Sequence, residues 1–159
     1  MSKDVIIKFT KVDPDVLAPR AANEGDAGFD ICANEVVTIV PLGIAKVNTG
    51  ISVAIPDGYE IQVRGKSGLA LHDGFSIAQG VGTIDSGYRG EIGILVKNMK
   101  PYSKTIRKGE MIGQLVLNEL PKAVYELVTD LDETQRGAKG FGSTKAAQAE
   151  AKDAEVKTE

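Results

Sequence analysis

Three glycine-rich segments, 65–74, 80–93 and 137–142, also carry Lys, Arg, Asp or Ser. Glycine beside serine and a cation lets backbone N–H groups come close to a phosphate, so each segment could cradle an anion. Ordinary turns of an antiparallel protein account for any single glycine just as well. Neither a G-x-x-x-x-G-K-[ST] loop nor a G-x-G-x-x-G turn opening a helix is present. The single cysteine, Cys32, and single histidine, His72, remove whole classes of chemistry. No intramolecular disulfide, cysteine-rich zinc site, C-x-x-C redox centre, zinc hydrolase with several imidazoles, or triad relying on a second histidine can be built. Cys32 has no basic neighbour in sequence to make it a thiolate nucleophile, and His72 is expected in a loop near the phosphate segment. Carboxylates, hydroxyls, cations and backbone amides remain. Asp85, in Ile84-Asp-Ser-Gly87, is a carboxylate fixed by a tight turn, although turn capping alone would explain it.

Five ordered segments carry a more specific signal: Asp26-Ala-Gly-Phe-Asp30, Arg64-Gly-Lys-Ser-Gly-Leu-Ala70, Gly82-Thr-Ile-Asp-Ser-Gly-Tyr-Arg-Gly-Glu-Ile92, Lys108-Gly-Glu-Met-Ile-Gly-Gln-Leu115 and Arg136-Gly-Ala-Lys-Gly-Phe-Gly-Ser-Thr144. In order and spacing they resemble the five motifs of the trimeric dUTPases, from residue 26 to residue 144. The resemblance implies hydrolysis of dUTP to dUMP and diphosphate, which limits uracil in DNA and supplies dUMP for dTTP synthesis. Such a reaction needs an activated water, cations along the phosphate chain and donors for developing charge. It makes Asp85 the general base toward water aimed at the α-phosphorus, with Gln114 helping to hold that water and the phosphate. Asp30 is implied to meet Mg²⁺ through ordered water, in keeping with an ion that keeps its waters and binds chiefly to substrate phosphates.

Lys66, Ser67 and Gly68 align with the family's phosphate-binding Arg-Ser-Gly. Lysine replaces a bidentate fork by a point charge there, and Arg64 compensates only if its side chain reaches the same side of the loop. The resemblance makes Gly82, Thr83, Ile84 and Gly93 substrate-binding residues in a hairpin whose backbone reads uracil. Gln79 stands where the family often has asparagine, and Tyr88 is implied to pack on deoxyribose and exclude a 2′-OH. Arg136, Phe141, Gly142, Ser143 and Thr144 belong to the implied mobile flap: Arg136 on the γ-phosphate, Phe141 stacked on uracil, Ser143 and Thr144 as phosphate donors. Lys139 replaces a commoner glycine in that flap. The related dCTP deaminases use a glutamate ten residues after the motif aspartate; Leu95 occupies that place, which disfavours deamination.

Short β-branched runs separated by turns must position these segments. Val5–Phe9, Val36–Val40, Ile51–Ile55, Tyr59–Val63, Ile92–Val96, Ile112–Leu117 and Val124–Val128 are the expected strands. Tyr59-Glu-Ile-Gln-Val63 alternates apolar with polar, and Pro56-Asp-Gly58 supplies the turn before it. No window of a dozen residues before position 144 carries a helical apolar stripe, so the class is all-β: sandwich, jelly roll or barrel. The resemblance narrows this to a β jelly roll, a distorted barrel, assembled as a homotrimer with active sites shared between subunits. Residues 1–135 are expected to form the β domain and 136–144 the closing motif. Residues 145–159, polar and Ala-rich, are expected as a disordered tail; only a rival reading, a nucleotide-sensing module, makes them the part that faces a regulatory protein partner.

At 159 residues, one compact domain is the default. Eighteen glycines, about 11%, exceed the ~7% of globular proteins, and the three clusters account for most of them. A net charge of −3 speaks against nonspecific nucleic-acid binding. No apolar run reaches signal-peptide or membrane-span length, so a cytoplasmic protein without membrane association is expected.

Overall fold

The structure, a computed structural model, describes residues 4–140; the expected closing-motif positions Phe141, Gly142, Ser143 and Thr144 and the tail at 145–159 lie outside the described residues. The chain divides into two units, Met1–Lys122 and Ala123–Glu159. The first is built from ten strands: β1 (Lys8–Lys11), β2 (Gly28–Cys32), β3 (Val37–Ile39), β4 (Ile44–Ala54), β5 (Tyr59–Arg64), β6 (Phe75–Ile77), β7 (Gly82–Ile84), β8 (Glu91–Asn98), β9 (Lys104–Ile106) and β10 (Met111–Glu119). They form two antiparallel four-stranded sheets, ordered β1-β4-β8-β6 and β2-β10-β5-β7, with a β3-β9 ribbon beside them. A single π-helical turn, Leu69–Asp73, interrupts the all-β body between β5 and β6. Among the described residues no helix is long and apolar enough to cross a membrane.

The period of two decides which side chains enter the core. Along β8, Ile92, Ile94, Val96 and Asn98 are buried while Glu91, Gly93, Leu95 and Lys97 alternate outward. The core joins both sheets: Val47, Ile51, Ile94 and Val96 from one, Ile31, Ile61, Val63 and Leu115 from the other. Each such side chain contributes roughly 1.5–3 kcal/mol by leaving water. At Gly113 the tight neighbour is within the sheet, since a Cβ there would lie 3.2 Å from the Arg64 carbonyl oxygen on β5. Asn98 is one of three buried polar residues, with Thr49 and Asp30: its amide donates to the carbonyls of Ile39, Val40 and Tyr102 and accepts from Lys100 N–H, tying β8 to the neighbouring segments.

Most expected strands are present with adjusted ends. The first moves from Val5–Phe9 to Lys8–Lys11, because pairing with Ala54 through Ile51 of β4 sets its register. Tyr59–Val63 is β5, entered through the expected turn, in which Gly58 takes φ +84° and Tyr59 N–H donates to the Pro56 carbonyl. β4 carries a bulge between Asn48 and Ser52, filled by Thr49 Oγ1 donating to the Ile92 carbonyl and by Gly50 N–H donating to Glu91 Oε1. At 124–128 no strand forms. β-Branched and apolar residues make a segment capable of pairing but supply no partner, and among the described residues none of the strands lies in the second unit.

Candidate active site

The central position of β10 puts three of the predicted segments on one rung. Gln114 pairs with Asp30 of β2 on one side and with Arg64 of β5 on the other, and directly paired residues share a face. Asp30 is fixed further by two backbone hydrogen bonds with Arg20, donating to its carbonyl at 2.7 Å and accepting from its N–H at 3.2 Å. β5 ends at Arg64, and the Gly65–Gly68 loop turns back beside the rung. There the Lys66 ammonium forms an ion pair with Asp30 and lies 3.8 Å from Met111 Sδ. Gln114 Nε2 donates to the Gly65 carbonyl at 3.1 Å. Its amide lies over Gly28, where a Cβ would overlap Oε1 and come within 2.9 Å of Cδ.

Arg64 stands on the same face, yet its guanidinium is turned back along β5, with Nε 3.0 Å and Nη2 2.5 Å from Gln62 Oε1. It does not line the cavity that Lys66 lines. That cavity, of about 1030 Å³, takes in Asp30, Lys66 and Gly68 together with Arg20, Leu69 and His72. Arg20 is a neighbour that sequence reasoning missed; it is brought in by the bridge to Asp30, and no motif marks it. Cys32 also borders the space. Burial pushes its thiol above the ordinary range; Arg20 opposes that shift, Asp30 adds to it and Lys66 opposes it, so an inert cysteine is the result.

The residues expected to meet the base gather elsewhere in the same unit. Gln79, Gly82, Thr83, Ile84, Asp85, Tyr88 and Gly93 all line a second cavity of about 230 Å³, which shares no residue with the first. β7 holds one wall by pairing Gly82, Thr83 and Ile84 with Val63, Gln62 and Ile61 of β5. Beyond it the chain reverses at Asp85, with Tyr88 N–H donating to the Asp85 carbonyl at 3.0 Å. Arg89 Nη1 clamps this turn through the carbonyls of Ser86 and Tyr88. Tyr88 Oη donates to the Glu91 carbonyl at 2.9 Å. A Cβ at position 90 would lie 2.6 Å from Tyr88 Cζ, so glycine there leaves the Tyr88 ring its place. The Asp85 carboxylate is exposed and accepts no hydrogen bond from the described residues, so it is open to water. Gln79 brings its Nε2 to 3.0 Å from where a Gly82 Cβ would stand. Ser67 is exposed in its loop.

Arg136 belongs to the second unit, in a turn where Gly137, at φ +51°, donates to Thr134 O and Oγ1. Its Nε donates to the Lys139 carbonyl at 3.2 Å.

Comparison with known proteins agrees with the motif order. The dUTPase family model matches residues 15–145. A deoxyuridine 5′-triphosphate nucleotidohydrolase of Zymomonas mobilis is 51% identical over 126 residues, covering 79% of this chain and 86% of that protein. One of Wolinella succinogenes is 44% identical over 142 residues, covering 89% and 95%. Among solved structures, a Staphylococcus bacteriophage 80alpha dUTPase with dUpNHpp superimposes with a TM-score of 0.80 at 28% identity, over 87% of this chain and 97% of that one. Sheets, motif positions and sequence identity converge, and the chain belongs to the dUTPase family.

Proposed function

We propose that the protein is a dUTP diphosphatase whose active sites are completed between copies of the chain in a homotrimer. The observation that carries this reading is the division of the predicted residues between two cavities: Asp30, Lys66 and Gly68 line one, and Asp85 with the other base-side residues lines the other. A nucleoside triphosphate needs both sets at once, and a neighbouring copy can present its base-side hairpin to the phosphate loop of the first.

Uracil enters the smaller cavity against the edge of β7, where the backbone of Gly82–Ile84 and the Gln79 amide face it. Tyr88, anchored to the Glu91 carbonyl, packs on the deoxyribose and leaves no space for a 2′-hydroxyl. Lys66, Ser67 and the Gly68 N–H take the phosphate oxygens, and Arg136, Phe141, Gly142, Ser143 and Thr144 close over the nucleotide from the C-terminal segment. Asp85 accepts a proton from water as its oxygen bonds to the α-phosphorus. The bond from that phosphorus to the α,β-bridging oxygen breaks, releasing diphosphate. Gln114, held by the Gly65 carbonyl and seated over Gly28, orients the water and the α-phosphoryl oxygens.

Mg²⁺ fits this donor set. Among the described residues no group of three or more His, Cys, Asp or Glu could cage an ion. Asp30 borders a roomy cavity that Asp73 and Glu110 also line without converging on it as a cage, as suits a hard cation that keeps waters and takes its other ligands from phosphates. Asp30 would hold the ion, which would supply neutralisation of the phosphate charge.

The test is diphosphate release from dUTP, dCTP, dTTP and UTP with Mg²⁺. The expected result is turnover of dUTP alone, and a loss of about 10²–10⁴ in kcat for Asp85→Asn. Deamination of dCTP, or no turnover of dUTP, overturns the reading.

A further inference from the structure

The Lys66–Asp30 ion pair stands at the point where phosphate and metal are expected to meet. Asp30 is only 9% exposed, and Lys66 supplies the sole hydrogen bond to its carboxylate among the described residues. The Lys66 ammonium, in turn, has only Asp30 Oδ1 and Met111 Sδ as partners there. Each group therefore neutralises the other before any ligand arrives.

We propose, building on the dUTP-hydrolase reading above, that this pair is exchangeable and couples metal binding to phosphate binding. A triphosphate arriving alone draws Lys66 toward itself and either strips a nearly buried carboxylate of its counter-charge or comes to rest beside that carboxylate. Both cost binding free energy. A cation arriving alone competes with Lys66 for Asp30. A triphosphate that brings Mg²⁺ supplies both replacements together: anion for Lys66, cation for Asp30. Lysine makes the exchange sharp, because its compact charge serves one anion well, whereas the five donors of a guanidinium fork can span a carboxylate and a phosphate together.

The experiment is calorimetric titration of α,β-imido-dUTP into the full chain at fixed ionic strength, with Mg²⁺ or with EDTA. In the wild type, Mg²⁺ tightens binding by roughly tenfold or more, within the usual range of coupling between sites. Asp30→Asn keeps the shape of the strand residue and removes its charge. In EDTA that variant binds the analogue about threefold or more tighter than the wild type, and its gain from Mg²⁺ falls below about threefold. Lys66→Arg shows a coupling between those of the wild type and Asp30→Asn. Metal-free binding by Asp30→Asn no tighter than by the wild type overturns the exchange, as does full wild-type coupling in Lys66→Arg; with dUTP turnover intact, neither touches the activity reading. Failure of the wild type to bind the analogue in Mg²⁺ overturns both.

Discussion

Gln114 owes its place to a residue without a side chain. A Cβ at Gly28 would overlap Gln114 Oε1, and the clash is with the far end of a side chain rather than with backbone. Gly28→Ala should therefore leave the fold standing while pushing the amide away from the Gly65 carbonyl. We expect kcat/KM for dUTP to fall by about ten- to a hundredfold. In a Gln114→Ala background the same substitution should cause little further loss, a non-additivity that steady-state kinetics on the double mutant would read. Gly90 plays the matching part on the base side. Gly90→Ala displaces the Tyr88 ring from the Glu91 carbonyl, and the expected readout is a selective rise in UTP turnover relative to dUTP. The identities of Asp85, Gln114 and Lys66 are legible in the motifs, but the space Gly28 and Gly90 leave is not. It depends on which side chain lies across each glycine, and pairing between distant strands decides that.

At the scale of elements, the segment that carries Asp85 runs into β8, which is tied to the body through the bulge of β4. Gly50 N–H donates to Glu91 Oε1 at 2.6 Å, and Thr49 Oγ1 donates to the Ile92 carbonyl at 2.8 Å. Glu91→Ala orphans a part-buried backbone donor, so the protein should lose about 1–3 kcal/mol of stability in urea denaturation. Its m-value should stay unchanged, because the core is untouched. The strands β5, β8 and β10 are legible from alternation and β-branched runs, whereas the expected Ile51–Ile55 reaches only the end of β4. β6, β7 and β9, three residues each, are too short to show a period. β2 carries Asp30, and its composition reads as a motif before it reads as a strand. The segment at 124–128 has the apolar, β-branched composition of a strand but lacks a ladder among the described residues of its own unit.

The whole molecule sets the strongest constraint. One chain lines the phosphate-side and base-side cavities with no residue in common, and large apolar side chains such as Phe9, Phe29, Leu42 and Ile44 face outward as an assembly would require. Composition cannot reveal this division, because nothing in a sequence says which chain completes a cavity. It can be tested with two inactive variants. Asp85→Asn spoils the base half. The double variant Asp30→Asn/Lys66→Gln spoils the phosphate half and removes both charges of the ion pair, so no buried charge is left unpaired. If a site takes its phosphate half from one copy and its base half from another, random mixing of equal amounts gives about a quarter of the sites both intact halves. Refolding the two variants together should then restore about a quarter of wild-type kcat, whereas each refolded alone stays inactive. If both halves came from one chain, every site in the mixture would carry a lesion. The refolded mixture would then be as inactive as its components, and dUTP turnover measured before and after mixing separates the two arrangements.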